Sequence, residues 1–317
     1  MLVITAPGQG AQAPGFLSAW LDVPGVAGHL GAWSELAGVD LVRCGTTAGA
    51  GEIKDTAVAQ PLLVAAALAV AGALFEGAEP AGAGLATAGH SVGELAAGAI
   101  AGAVTAVDAL RLVAVRGRAM AEASAARPTG MTAVLGGDEG TVLASIEAHG
   151  LTPANVNGAG QIVAAGTMEQ LAAFAADPPA GARLRPLQVA GAFHTVHMAP
   201  AVAALRAAAD GVTVADPRIA LLSNRDGAVV TTGADWLDRI VGQVAAPVRW
   251  DACMRAMAGL GVTALIELPP AGTLTGLARR GLPGVTTAAL KTPDDLEAAR
   301  KLLADRGAGQ QTSRRQP

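Results

Sequence analysis

The sequence predicts an α/β protein in which a large domain carries a smaller inserted one. Short apolar segments run into glycine-rich turns and then into helical stretches, as in "LVITAPGQGAQ" (2–12) and "LATAGHSVGE" (85–94). The middle of the chain instead reads βαββαβ, the ferredoxin-like order, over about 60–70 residues. With 317 residues, 51% of them hydrophobic, there is enough apolar material to bury a core of that size.

The elements follow in order. Residues 2–6 form a short buried strand. Residues 58–75 form a buried helix with Pro61 near its first turn. A strand at 85–90 enters the turn at Ser91, a helix follows, and another spans 105–124. That second helix starts at Thr105-Ala-Val-Asp108, which has capping-box spacing. In the insert, 131–137 reads as a strand and 139–150 as a helix ending at glycine. Residues 153–166 read as a hairpin turning at Asn157-Gly158, 168–176 as a helix and 182–191 as a strand. Beyond it come a helix near 198–209, a strand at 218–224, helices near 234–244 and from 250, and a strand at 262–268. The expected division is 1–124 with 193–306 as the large domain, 125–192 as the small one, and 307–317 as a disordered tail.

Composition excludes some classes of function. A net charge of −4 offers no basic face for nucleic acid. The N-terminus lacks the basic flank and apolar core of a signal peptide, and no run of 18 strongly apolar residues stands out, so a cytoplasmic protein off the membrane is expected. Cys44 and Cys253 match no metal-ligand spacing, and no metal site is expected.

Gly89-His90-Ser91-Val92-Gly93 is a G-x-S-x-G stretch between a strand and a helix. Its glycines permit a sharp turn that exposes the serine hydroxyl and turns the next N–H toward an oxyanion. Among 41 glycines the same pattern also fits a serine helix cap. A nucleophilic serine needs a base. His90 would point to the opposite face, His149 ends a helix, and His29 has no evident position; "GAFHTVHM" (191–198) offers both His194 and His197. Arg116 shares a helix face with Ala109, Leu112, Val113 and Met120. It is there either to snorkel or pair internally, or to clamp a substrate carboxylate.

Taken together, "PGQGAQ" (7–12), "AQPLL" (59–63), "GHSVGE" (89–94), "RGRAM" (116–120), "NVNGAGQIVAAG" (155–166), "GAFHTVHM" (191–198), "APVRW" (246–250) and "IELPPAGTLTGL" (266–277) resemble the malonyl-CoA:acyl carrier protein transacylases, the acyltransferases of fatty acid and polyketide synthesis. The resemblance implies a hydrolase-like α/β core with a mostly parallel sheet. It implies Ser91 as acylated nucleophile, His194 as base and Arg116 as the malonyl carboxylate ligand. The backbone N–H groups of Gln9 and Val92 would form the oxyanion hole, and the Gln243 main-chain carbonyl would orient the histidine. Asn155, Asn157 and Phe193 would border the substrate channel. The implied partners are malonyl-CoA and an acyl carrier protein, with no cofactor, and the chain is expected to act as a monomer. Two departures stand out: Val196-His197 after the histidine, and Glu267-Leu-Pro-Pro270 where the family has E-x-G-P. The competing expectations are an acyltransferase of a polyketide synthase, a thioester hydrolase with an acidic partner for its histidine, and a non-enzymatic docking subunit.

Overall fold

The chain folds around two sheets. The computed structural model describes residues 1–189 and 191–313, the side chains of 306–313 excepted. Its strands are β1 (Leu2–Ala6), β2 (Leu85–Gly89), β3 (Thr129–Gly136), β4 (Thr152–Gly158), β5 (Gln161–Thr167), β6 (Ala182–Pro186), β7 (Ala220–Leu222), β8 (Val229–Val230), β9 (Val248–Arg249), β10 (Ala264–Glu267) and β11 (Thr286–Ala289). The first sheet has the order β11-β10-β1-β2-β7-β8 and is parallel except for the β7–β8 pair. The second has the order β6-β3-β5-β4-β9. Its first four strands are antiparallel neighbours and carry the ferredoxin-like topology, with helices Glu139–Ala148 and Met168–Ala176 between them. The two-residue β9 lies parallel to β4 and ties the small sheet to a segment of the large core.

The central strands of the first sheet are buried on both faces, as the core of a parallel sheet is. Every residue of β1 and β2 is buried, and neither strand alternates with polar residues. Helices Thr56–Leu74 and Ala106–Ala125 pack beside it, and Gly117 lets them approach. A Cβ there would lie 3.0 Å from the Thr56 carbonyl oxygen. Thr105 caps the second helix as its spacing predicts, accepting from the Asp108 N–H at 3.0 Å.

The structure corrects four expectations. The hairpin turns at Ala159-Gly160, not at Asn157-Gly158. Gly158 pairs with Gln161, and Ala159 and Gly160 take left-handed φ of 49° and 73°, so Asn157 stays in the strand. Strand β6 stops at Pro186, short of the expected 191, with one further bond from the Leu187 N–H to the Met131 carbonyl at 2.9 Å. The last helix, Asp295–Ser313, continues through 307–313, where a disordered tail was expected. Residues 314–317 lie outside those described. Finally, helix Thr56–Leu74 is long and apolar enough to cross a membrane, but 78% of its apolar window is buried as the central core helix. Helices Val26–Ala37, Leu41–Thr46 and Ala50–Lys54, and strand β11, had no clear signature in the sequence.

Candidate active site

The site forms at the carboxyl ends of three adjacent strands. Gln9 follows β1, Ser91 follows β2, and Asn224 follows β7. In an open parallel sheet this end is where chain reversals leave a crevice.

The turn at Ser91 exists because its neighbours are glycines. A Cβ on Gly89 would sit 1.9 Å from the Gly93 carbonyl carbon, and one on Gly93 would sit 2.2 Å from the Ala6 carbonyl oxygen. No side chain fits at either place. Ser91 itself takes a left-handed φ of 53° and leads into helix Gly93–Ile100. Asn224 braces the turn from β7. Its Oδ1 accepts the Ser91 N–H at 2.7 Å, and its Nδ2 donates to the Gly89 carbonyl at 2.8 Å.

Ser91 Oγ lies 2.7 Å from His194 Nε2, and His194 Nδ1 lies 2.9 Å from the Gln243 main-chain carbonyl. A carbonyl only accepts, so Nδ1 carries the proton and Nε2 presents a lone pair to the serine hydroxyl. Burial, reinforced by the Arg116 charge, pushes the His194 pKa down to about 3, so the imidazole is neutral. His197 instead donates its backbone N–H to the Thr195 hydroxyl at 3.2 Å, within the short turn Val196–Met198. His29 stacks on Trp33, and His149 bonds the Ser145 carbonyl.

Arg116 is 1% exposed. It donates to Gln60 Oε1 at 2.7 Å, to Gln243 Oε1 at 2.9 Å and to Ser91 Oγ at 3.3 Å. It therefore faces the nucleophile and neither snorkels nor enters a direct salt bridge among the described residues. Burial lowers its pKa to about 10, which still leaves it charged at neutral pH.

Among the described residues the backbone N–H groups of Gln9 and Val92 have no hydrogen-bond partner. Gly8 is what brings the Gln9 turn against this site, since a Cβ there would lie 2.8 Å from the His90 carbonyl oxygen. Asn157 Oδ1 lies 2.9 Å from His90 Nε2, and Asn155 is likewise buried, on β4. Phe193 is 6% exposed and belongs to the main hydrophobic core beside His194.

Three polar side chains of this site have no signature in the sequence. Gln60 and Glu94 lay inside segments already singled out, "AQPLL" and "GHSVGE", yet a Gln in an apolar helix and a Glu after a glycine carry no marker of role. Asn224 ends a strand and its partners are distant in sequence, so no local spacing could have found it.

An acyl transferase domain, the family so described, matches residues 7–297. The chain belongs to this acyl transferase family. The malonyl CoA-acyl carrier protein transacylase of Mycobacterium tuberculosis (strain ATCC 25618 / H37Rv) is 54% identical over 297 residues, covering 94% of this chain and 98% of the relative. That of Escherichia coli (strain K12) is 34% identical over 303 residues, covering 93% and 97%. The crystal structure of MCAT from Mycobacterium tuberculosis superposes with a TM-score of 0.89 at 52% identity, covering 95% of this acyltransferase and 99% of that chain. A type II PKS acyl-carrier protein in complex with its malonyl-transacylase gives 0.87 at 28% identity, over 95% and 99%. Against that family background, the third partner of the histidine is a backbone carbonyl and not a carboxylate. The buried acid Glu94, at the foot of the nucleophile turn, contacts the Gln243 side chain instead.

Proposed function

We propose that this acyltransferase moves a malonyl group from malonyl-CoA to the phosphopantetheine thiol of an acyl carrier protein, through a malonyl ester on Ser91. The observation that carries the reading is the placing of Arg116, a buried charge that faces the Ser91 hydroxyl 3.3 Å away. A carboxylate at the far end of an acyl group is the ligand such a guanidinium suits. The 54% identical transacylase supports the same substrate.

In this mechanism the neutral His194 takes the Ser91 proton as Oγ attacks the thioester carbonyl. The negative charge on that oxygen meets the N–H groups of Gln9 and Val92, each donor contributing roughly 10²–10³ in rate at comparable sites. Coenzyme A leaves as the thiol, receiving the proton from His194. The carrier thiol then gives its proton to His194 and attacks the ester carbon, and as the ester C–O bond breaks His194 returns that proton to Ser91 Oγ. The Gln243 carbonyl keeps the imidazole in the required tautomer throughout. The acyl group arrives already activated as a thioester, so serine, histidine and two N–H groups suffice without a cofactor.

The likeness to the mycobacterial transacylase, higher than to the polyketide relative, favours supply of extender units for fatty acid synthesis. We assign residues 1–124 and 193–306 to the catalytic core and 125–192 to the small domain. Asn155, Asn157 and Phe193 border the acyl and pantetheine channel. The enzyme works as a cytoplasmic monomer with the acidic carrier as its protein partner, off membranes and nucleic acid.

The test is intact mass after brief mixing with malonyl-CoA, for the wild type and Ser91→Ala. A malonyl adduct on the wild type alone, discharged by holo carrier protein, supports the transferase. Steady release of malonate with no adduct overturns it in favour of a hydrolase.

A further inference from the structure

Glu94 stands directly after the nucleophile turn, near the start of helix Gly93–Ile100, and is 3% exposed. Burial pushes its pKa up to about 8, and the Asn224 and Gln243 donors and the Arg116 charge act against that rise. Its Oε1 accepts the Asn224 backbone N–H at 2.8 Å, and its Oε2 accepts from Gln243 Nε2. The cation that balances it is Arg116, but among the described residues no direct ion pair joins the two. The Gln243 amide stands between them, taking Arg116 Nη2 on its Oε1.

The polarity of this chain is set from both ends. An arginine only donates, so the Gln243 carbonyl oxygen must face it. The amide nitrogen must then face acceptors, and Glu94 Oε2 is the nearest of them, ahead of the Ser91 carbonyl at 3.3 Å and Asn224 Oδ1 at 3.4 Å. The orientation of the Gln243 side chain, and with it one of the two glutamine anchors of Arg116, therefore depends most on the acceptor at position 94. The Ser91–His194 pair depends on it less. His194 is held by the main-chain carbonyl of Gln243, and the Ser91 turn by the Asn224 side chain.

We propose that Glu94 is a positioning residue of the carboxylate clamp. Acting through Gln243, it fixes the Arg116 guanidinium and so sets the preference for acyl groups that end in a carboxylate. The proposal rests on Arg116 being that clamp. Glu94→Gln is the informative substitution, because it keeps the shape and can keep the acceptor for Asn224. It turns an amide N–H₂ toward the Gln243 N–H₂, donor against donor.

The experiment measures acylation of Ser91 by malonyl-CoA and by acetyl-CoA, by intact mass in single turnover, for wild type, Glu94→Gln, Arg116→Ala and the double variant. Glu94→Gln should slow malonyl loading about 30-fold and acetyl loading less than about threefold. In the Arg116→Ala background it should add less than about twofold to the malonyl deficit. Equal slowing of both donors by Glu94→Gln, or a malonyl loss that persists undiminished without Arg116, overturns the role of Glu94. Arg116→Ala alone decides the clamp reading beneath it: if that variant slows both donors equally, the clamp and this proposal fall together. Should Glu94→Gln not fold, Gln243→Met breaks the same chain one link later while keeping the main-chain carbonyl. Selective malonyl loss there supports the proposal, and equal loss overturns it.

Discussion

Ser91 and His194, whose side chains meet at 2.7 Å, both hold left-handed backbones, with φ of 53° and 62°. Each is a non-glycine residue in a conformation that costs about 1–2 kcal/mol. The surroundings impose it: glycines on either side of Ser91 leave no other path for the chain, and Asn224 locks the result. The strain pushes the serine hydroxyl and the imidazole toward each other.

Comparing Ser91→Gly with Ser91→Ala therefore isolates the cost of the turn. Both variants lose acylation. Glycine, free to adopt φ above zero, should be the more stable by about 1 kcal/mol in urea unfolding. Equal stability of the two would show that the turn is unstrained.

Arg116→Ala removes a donor that only a carboxylated acyl group can use. Malonyl loading should fall about 100-fold and acetyl loading less than about tenfold. Arg116→Lys keeps the charge but loses the planar fork, so it should fall between the wild type and alanine for malonyl. The loading rates for the two donors check this, and a constant malonyl-to-acetyl ratio across the three proteins would contradict it.

How far the sequence reveals this site depends on what each residue does. Ser91 is legible because the turn needs glycines at fixed offsets, and Arg116 because a charge on an apolar helix stripe stands out. The choice between His194 and His197 is not legible from periodicity, since both sit at one chain reversal; it needs the family resemblance or the contact with Ser91 in the fold. The βαββαβ insert is legible because each of its elements is several residues long, whereas its hairpin turn and the end of β6 are set by pairing and are misplaced by the sequence. Strand β9, two residues long, has no period to read and is formed only by its pairing with β4. The Glu94–Gln243–Arg116 chain is invisible for a further reason. Its members lie 22 to 149 residues apart, and their meaning is in the direction of hydrogen bonds, which composition does not encode.

The pH profile of acylation follows from His194. The base acts when neutral, and burial beside Arg116 lowers its pKa from 6.5 to about 3. Protonation that would switch it off therefore occurs well below the ordinary histidine range. Between pH 7 and 5 the single-turnover acylation rate should change less than about twofold, where a histidine at 6.5 would lose about 25-fold. The same shift acts on stability. The unfolded chain takes up a proton near 6.5 that the folded one refuses, so the His194 contribution declines as pH falls from 6.5 toward 3. A fitted acid limb near 6.5 in the rate profile would refute the neutral, buried base.

Asn224 offers the last test, because its amide makes two bonds of opposite sense to the two ends of the nucleophile turn. The Oδ1 takes the Ser91 N–H and the Nδ2 gives to the Gly89 carbonyl, at 2.7 and 2.8 Å. Asn224 is wholly buried, so Asn224→Ala takes the side-chain partner from both groups, at about 1–3 kcal/mol for a group left unsatisfied. Asn224→Asp keeps the acceptor for Ser91 but sets a second carboxylate oxygen against the Gly89 carbonyl, with Glu94 close by. Urea unfolding should show both variants destabilised. The loading rate should fall for malonyl and acetyl alike, because the turn itself, and not the carboxylate clamp, has been loosened. A loss confined to malonyl would instead place Asn224 in the Arg116 chain.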